Sequence, residues 1–374
     1  MFRNFVVALS LALVAAKPTW RELEQYTFDK FVSDYNLNYG EGTDNYTMRK
    51  EIFDRELARV VAHNKRAGSW KENVNHMSAL STSEKKAFTG RSKAVHAAHT
   101  PLRQSAVEET DFPKMKVSSL PTDVDWRTEG VVSAVKDQGM CGSCWAFAAT
   151  ATLESHVAIA SGQLFDLSPQ QIAACSPNPD KCGGTGNCQG ATAEIAFDYM
   201  ASSNGILEEF QYGYSEYFGK ESGCDINPEG IPKAQISGYK QLTENNYEEL
   251  MNAVAQKGPI AISVDASAWS SYDSGIFDGC NQKNPDIDHA VVLMGYGTDN
   301  GQDYWLVRNS WSASWGENGY IRIARTSSEE TRCGSDTTPC DGTACEGQCD
   351  TPVTVCGTCG ILYDSSYPTD ANII

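Results

Sequence analysis

The cysteines are unevenly placed along the chain. All thirteen lie after residue 140 of the 374 residues, so the first third of the protein can form no disulfide of its own. In an oxidising compartment cysteines pair, and an odd total leaves at least one thiol free or shared with another chain. The chain is therefore expected to join a disulfide-free segment to a disulfide-stabilised domain.

The first residues indicate an oxidising compartment. Phe5–Ala16 is apolar apart from Ser10, and it ends in the small residues that a signal peptidase requires. A run of about a dozen residues is too short to span a bilayer as a helix, and a buried N-terminal helix is the weaker alternative because polar sequence begins at Lys17. We expect residues 1–16 to be a signal peptide and the product to be soluble. It would reside in a lysosome or vacuole or outside the cell, where disulfides form.

The two parts of the chain also differ in charge. Residues 1–119 carry a balance of +4 and residues 120–374 a balance of −22, for a total of −18. An acidic chain without a basic block repels polyphosphates, which argues against nucleic-acid binding. Opposite charges favour docking of the two parts at neutral pH, and this attraction weakens as carboxylates become protonated. Unrelated charge drift between two domains is the alternative.

Hydrophobic periodicity differs between the two parts as well. Arg49 to Arg66 lacks Gly and Pro and places its apolar residues on one stripe, which predicts a helix. Residues 92–119 have little periodicity and are typical of an exposed, cleavable linker. In the second part Cys144–Ala160 predicts a buried helix, and four runs predict strands: Pro259–Asp265, Ala290–Tyr296, Tyr304–Val307 and Tyr320–Ala324.

The buried helix opens with a candidate nucleophile. Gln138 to Trp145 reads Q-G-M-C-G-S-C-W, and Cys144 stands at the start of the helix. The positive end of the helix macrodipole favours a thiolate, which is the form that attacks a carbonyl carbon. The alternative for either cysteine of this run is a disulfide, and one of Cys141 and Cys144 is expected to form one.

A cysteine nucleophile needs a base, and only two histidines follow residue 119. His156 lies twelve residues along the same helix, about 18 Å from Cys144, which is too far. His289, just before a predicted strand, is the remaining candidate. Asn309 follows the next strand, Asp303–Arg308, and could orient the imidazole. Either residue alone is more often structural; with the cysteine motif the catalytic interpretation is favoured.

With these residues in place, the chain resembles the papain family of cysteine proteases, of the cathepsin L type. The resemblance runs from the signal peptide to Pro368. Its further motifs are Leu120-Pro121, Asp125-Trp126-Arg127, Cys188-Gln189-Gly190, Asp288-His289-Ala290, Gly295-Tyr296-Gly297, Asn309-Ser310-Trp311, Trp315-Gly316 and Gly319-Tyr320. It implies an α+β, two-lobed fold with a helical left lobe and a β-barrel-like right lobe. An inhibitory helical propeptide (17–119) would precede the catalytic domain (120–374).

The resemblance also implies roles for the candidate residues. Cys144 and His289 would form a thiolate–imidazolium pair, and Asn309 would hold the imidazole under the shield of Trp311. Gln138 would supply a side-chain amide to the oxyanion hole beside the backbone N–H of Cys144. The reaction would be hydrolysis of peptide bonds in protein or peptide substrates by a monomer, and no metal or organic cofactor would be required.

The propeptide motifs of the family are matched imperfectly. The E-R-F-N-I-N spacing falls on Asn45, Arg49, Phe53, Glu56, Val60 and Asn64, and the G-N-F-D spacing falls on Asn73, Asn75, Met77 and Ala79. Ala79 replaces the aspartate that senses acid in the family. Activation is therefore expected to depend more on the distributed charge contrast. Asn45-Tyr46-Thr47 is a glycosylation sequon within the propeptide.

The resemblance further implies a specificity pocket for the second residue before the scissile bond. Gly190 would bind the substrate backbone, and Ala191 stands where the family has a second glycine. The pocket would be lined by Ser263, Ile287 and Ala290, with Asp364 at its floor. An acid there would pair with Arg or Lys of the substrate; the alternative is that Asp364 points to solvent.

The cysteines can then be partly assigned by the resemblance. It implies the pairs Cys141–Cys188, Cys175–Cys224 and Cys280–Cys359. Six more, whose partners stay open, are Cys182, Cys333, Cys340, Cys345, Cys349 and Cys356. Five of these lie in an insertion at about residues 327–358, where a zinc site is the alternative to disulfides. Twelve cysteines can then pair with each other, and Cys144 is the one left over.

The sequence also bears on the type of cleavage and on whether the protein is an enzyme at all. Exopeptidases of the family can block the cleft with a paired-histidine loop, which the sequence lacks, so an endopeptidase is favoured. The rival of another class is a catalytically silent binding protein of the same fold that uses the insertion for recognition.

Overall fold

The computed structural model of the protein describes residues 17–89, 111–326 and 332–374. The predicted signal peptide and most of the predicted linker lie outside the described residues. The helices are α1 (Phe28–Asp34), α2 (Asp44–Asn64), α3 (Thr82–Lys85), α4 (Cys144–Ser161), α5 (Pro169–Cys175), α6 (Ala193–Ser202) and α7 (Tyr247–Gln256). No helix in these three ranges combines the length and apolar character needed to cross a bilayer.

The strands of the described residues form one large sheet and two small ones. Their bounds are β1 (Trp70–Glu72), β2 (Val124–Asp125), β3 (Ala234–Gln235), β4 (Gly238–Gln241), β5 (Ile260–Val264), β6 (Tyr272–Phe277), β7 (His289–Asp299), β8 (Gln302–Arg308), β9 (Tyr320–Ala324), β10 (Cys333–Asp336), β11 (Val353–Cys356), β12 (Asp364–Thr369) and β13 (Asn372–Ile373). The large sheet runs β1-β6-β9-β8-β7-β5-β12-β4, with β2 paired to β7.

Strand β7 separates two hydrophobic cores. Val291 and Leu293 face a core with the aromatic residues of the right lobe, whereas Val292 and Met294 face a core built on α4, α5 and α6. Successive side chains of a strand point to opposite faces, so a strand buried on both faces is apolar throughout. At Gly295 the strand bulges, and a Cβ there would lie 1.9 Å from the carbonyl oxygen of Val124. The predicted α+β, two-lobed fold is confirmed.

The first segment packs as a separate helical unit on the right lobe. Phe28, Phe31, Phe53 and Val60 form its own core. Helix α2 begins five residues before the predicted start, because Thr43 caps it by accepting a hydrogen bond from the backbone N–H of Tyr46. Strand β1 then adds antiparallel to the edge of the large sheet at β6. This places the segment that follows β1 over the cleft between the lobes.

Candidate active site

Cys144 is the first residue of α4 and is 2% exposed. The turn before it is held by the Cys141–Cys188 disulfide and by a hydrogen bond from Gly142 N to the Cys188 carbonyl oxygen, 3.0 Å. Cys144 takes part in none of the six disulfides of the described residues. A cysteine that is fixed at a helix N-terminus and not oxidised has the environment that stabilises a thiolate.

His289 and Asn309 are brought together by pairing of β7 with β8. His289 opens β7, and Asn309 follows the last residue of β8. Nε2 of His289 lies 2.8 Å from Oδ1 of Asn309, and both residues are buried. The indole of Trp311 stacks on the imidazole with ring centroids 4.8 Å apart. The amide oxygen therefore fixes Nε2 as the protonated nitrogen, and the indole excludes water from this bond.

The strand that carries the base also contacts the nucleophile, which opens helix α4. The backbone N–H of Ala290, next to His289, donates to Sγ of Cys144 at 3.5 Å. The thiol thus lies against the residue that follows His289, and Nδ1 is the ring nitrogen that Asn309 does not engage. His156, which sequence distance excluded, lies elsewhere: its Nε2 is 2.8 Å from the Pro259 carbonyl oxygen, and burial lowers its pKa to about 4.

Gln138 presents its amide N–H groups to the same cleft. Its Nε2 donates to the carbonyl oxygens of Phe88 and Cys141, each at 2.9 Å, while its Oε1 accepts from the Ser310 hydroxyl at 2.6 Å. The Ser310 bond fixes which end of the amide faces the cleft. A donor held in this way is prepared to bind a carbonyl oxygen beside Cys144.

The first segment places two backbone carbonyl oxygens beside Cys144, those of Phe88 and Thr89. The Phe88 carbonyl also accepts from Nε1 of Trp311 at 3.0 Å, and the Thr89 carbonyl lies 3.4 Å from Sγ of Cys144. Backbone groups of the first segment thus occupy the donors and the nucleophile together. The segment is positioned by Trp70, whose ring lies 4.5 Å from that of Phe277, and by Asn75, which donates to the Ser270 carbonyl.

One carboxylate of the first segment escaped sequence analysis. Arg49 donates to the Ala79 carbonyl at 3.0 Å and also to both oxygens of Glu84. Ala79 stands where the G-N-F-D motif has an aspartate. Glu84, five residues further along, supplies a negative charge close to that position. The sequence does contain a pattern that marks Glu84: Ser81 followed three residues later by Glu84 is a capping box, and it starts α3.

Three of the predicted specificity residues lie side by side on the adjacent strands β5, β7 and β12. Ser263 pairs with Ala290 on one side and with Asp364 on the other. Asp364 is only 6% exposed and accepts from the Ser263 hydroxyl at 2.6 Å, so the alternative in which it points to solvent is wrong. Ile287, Gly190 and Ala191 are also buried.

A second acid lies beside this pocket and was missed. Glu194 on α6 accepts from the hydroxyl of Ser366, two residues after Asp364 on β12. Burial and the neighbouring charge of Asp364 raise the pKa of Glu194 to about 7. No sequence motif marks this residue, because the contact joins a helix and a strand that are 172 residues apart.

The twelve remaining cysteines form six disulfides. The three pairs implied by the resemblance are present: Cys141–Cys188, Cys175–Cys224 and Cys280–Cys359. The open six pair as Cys182–Cys345, Cys333–Cys356 and Cys340–Cys349. The insertion is therefore a disulfide-stabilised element, since the sulfurs that a zinc site would need are bonded to each other.

Comparisons with known proteins agree with this geometry. A family model described as papain family cysteine protease matches residues 120–342, and one described as cathepsin propeptide inhibitor domain (I29) matches residues 28–84. The chain is 36% identical to the oryzain beta chain of Oryza sativa subsp. japonica over 85% of this chain, and it spans only 60% of that protein's length.

Two further relatives match along most of their length. Digestive cysteine proteinase 2 of Homarus americanus is 33% identical over 87% of this chain and 94% of its own. The solved structure of a recombinant stem bromelain precursor superposes with a TM-score of 0.71 at 32% identity, covering 91% of this chain and 97% of that one.

Proposed function

The chain belongs to the papain family of cysteine proteases, and from this premise we propose that it hydrolyses peptide bonds after removal of an inhibitory propeptide. The observation that carries the proposal is that Cys144, His289 and Asn309 lie together in one buried site. The thiol lies 3.5 Å from the Ala290 N–H, and the imidazole beside it is oriented by Asn309 at 2.8 Å.

The chemistry follows from this arrangement. Cys144 attacks the scissile carbonyl carbon as a thiolate while the Gln138 amide and the Cys144 backbone N–H stabilise the developing oxyanion. His289 protonates the leaving amine through Nδ1, which gives an acyl-enzyme. A water molecule, deprotonated by His289, then attacks the acyl carbon and releases the carboxylic acid product, and Cys144 is regenerated.

Residues 17–119 act in this proposal as the inhibitory propeptide of residues 120–374. The Phe88 carbonyl accepts a hydrogen bond from the Gln138 amide, and the Thr89 carbonyl contacts the Cys144 thiol. They occupy the position that a substrate carbonyl would take. We assign residues 1–16 to a signal peptide, which directs the zymogen to a lysosome or vacuole or to the exterior. We also propose a monomer that cleaves within polypeptides, as an endopeptidase.

Active-site titration tests the proposal. The processed protein is treated with a thiol-directed epoxide, and labelled peptides are mapped by mass spectrometry. We expect one equivalent of label on Cys144 and loss of peptidase activity in proportion to labelling. The Cys144→Ser variant is the matched control and should take up no label. If the processed wild-type protein is neither labelled nor active, the silent binding protein is the better interpretation.

A further inference from the structure

The cysteine-rich insertion contacts both walls of the cleft. Its strands β10 and β11 pair, and we call residues 336–346, which run from the last residue of β10 into the loop before β11, the strap. On the right lobe, the carboxylate of Asp336 accepts from the backbone N–H of Ile287 at 3.3 Å, and the Thr338 hydroxyl donates to Asp286 at 3.2 Å. One end of the strap is therefore fixed to the wall of the specificity pocket.

The other end of the strap is bonded to the left lobe. Cys345 forms a disulfide with Cys182. Beside it, the Gly183 N–H donates to the Ala344 carbonyl at 3.0 Å, and the Lys181 ammonium lies 3.0 Å from the Glu346 carboxylate. This end is held by a covalent bond, a backbone hydrogen bond and an ion pair, so the strap is no mobile lid.

Between its two ends the strap passes close to the substrate-binding segment. Gly183 has a positive φ of 63°, and a Cβ at this position would lie 2.5 Å from the Gly342 carbonyl oxygen and 3.1 Å from the backbone of Ala191. Only a residue without a side chain fits between the strap and Ala191. The strap therefore lies against the part of the left wall that continues from Gly190 and Ala191.

We propose that the strap closes the acyl side of the cleft just beyond the pocket for the second residue before the scissile bond. An extended substrate advances about 3.3 Å per residue, so its third and earlier residues meet the strap after passing Ala191 and Ile287. A longer acyl portion must turn out of the cleft and lose its backbone contacts. This inference rests on the proposed function and narrows it. A polypeptide whose earlier residues turn out of the cleft is still cleaved internally, but the protease prefers substrates with few residues before the scissile bond.

A series of peptides of graded length tests the strap. Blocked peptides with two, three and five residues before a fluorogenic amine share their last two residues, and rates are normalised by epoxide titration. We expect kcat/KM of the wild-type protein to fall by about tenfold from the shortest to the longest peptide. In C182S/C345S, which removes the covalent tether between the strap and the left lobe, this ratio should fall to within about threefold, with the two-residue peptide unaffected.

A matched control is C340S/C349S, which removes a disulfide of the same insertion and leaves the tether to Cys182 intact. It should keep the wild-type length dependence. If C182S/C345S does not fold, a variant with Cys182→Ser and residues 337–350 replaced by a short Gly-Ser linker takes its place. A wild-type rate that rises with peptide length, or an unchanged ratio after the tether is cut, overturns the inference. Loss of all hydrolysis and labelling in the wild type would instead contradict the proposed function.

Discussion

Arg49 of α2 and Glu84 of α3 form a two-pronged ion pair, with Nη1 to Oε2 at 2.6 Å and Nη2 to Oε1 at 2.5 Å. The hydrogen bonds from Arg49 outweigh the opposing effect of burial, and with those from Ser81 they lower the pKa of Glu84 to about 2. Because this pKa is depressed, the pair stabilises the propeptide above the unfolded pKa of about 4.5. That stabilisation is lost as the pH falls from about 4.5 towards 2.

The first prediction concerns this pair. In the Cys144→Ser zymogen, Glu84→Gln should lower the free energy of unfolding of the propeptide by about 1 to 2 kcal/mol at pH 6. The difference from the parent should shrink as the pH approaches 2. Urea unfolding at several pH values measures it. Asp54→Asn, in the exposed pair with Lys50, is the control and should change stability by less than about 0.5 kcal/mol. Equal effects of both variants would contradict a special role for Glu84.

His76 provides a second prediction, about activation by acid. Its Nε2 is buried, and its ring lies 5.8 Å from that of Phe88, which covers the cleft. Burial lowers the pKa of His76, Asp137 opposes this shift and Lys17 adds to it. Docking therefore disfavours the protonated imidazole relative to the undocked propeptide, in which a histidine has its ordinary pKa of about 6.5. Falling pH thus weakens docking through this residue.

The measured quantity is the pH at which the zymogen is half-converted in a fixed time. His76→Asn cannot be protonated, so its conversion midpoint should shift to lower pH than that of the wild type. The same substitution at His63, a partly exposed histidine of α2, is the control and should leave the midpoint unchanged. A midpoint that does not move in His76→Asn would assign activation to other groups, such as the distributed charge contrast.

The third prediction concerns Gln138 as an oxyanion donor. Gln138→Ala should lower kcat by about 10²- to 10³-fold with little change in KM, because the amide acts on the transition state. Ser310→Ala removes only the hydroxyl that orients this amide, so its loss should be smaller and should also fall on kcat. Steady-state kinetics of the processed variants on one fluorogenic peptide measures both. A loss confined to KM in Gln138→Ala would show that the residue binds substrate without stabilising the oxyanion.

The candidate catalytic residues could be located from the sequence because their signals are local or exclusive. Cys144 lies in a contiguous motif at a helix start, and His289 is selected because only one other histidine follows residue 119. The two-lobed fold followed from the same family motifs. Strand periodicity located β7 and β8, which bring His289 and Asn309 together.

The contacts that were missed join distant parts of the chain. Cys182 pairs with Cys345 across 163 residues, and six cysteines allow fifteen connectivities that spacing alone does not distinguish. Glu194 reaches Ser366 only because α6 packs on β12. Glu84 lies outside the fixed positions of the G-N-F-D motif, whereas an ion pair needs only proximity to Arg49. Sequence patterns do not encode such three-dimensional proximity directly.

The last prediction concerns the two acids at the specificity pocket. Asp364 and Ser366 share one face of β12, so Ser366, to which Glu194 is hydrogen-bonded, lies about 6 to 7 Å along the strand from Asp364. Glu194 has a raised pKa of about 7, so it is neutral in mildly acidic solution and becomes charged as the pH rises through about 7. The pocket therefore gains negative charge with rising pH.

Matched substrates with Arg or Leu as the second residue before the scissile bond measure this effect. The Arg/Leu ratio of kcat/KM should rise between pH 5.5 and 8 by about three- to tenfold in the wild type. Glu194→Gln should abolish this rise and leave a ratio that favours Arg equally at every pH, because only Asp364 remains. Asp364→Ala should lower the ratio by about tenfold at every pH. If Asp364→Ala leaves the preference unchanged, the acid at the pocket floor does not contact the substrate, and its hydrogen bonds from Ser263 and Gln241 are structural.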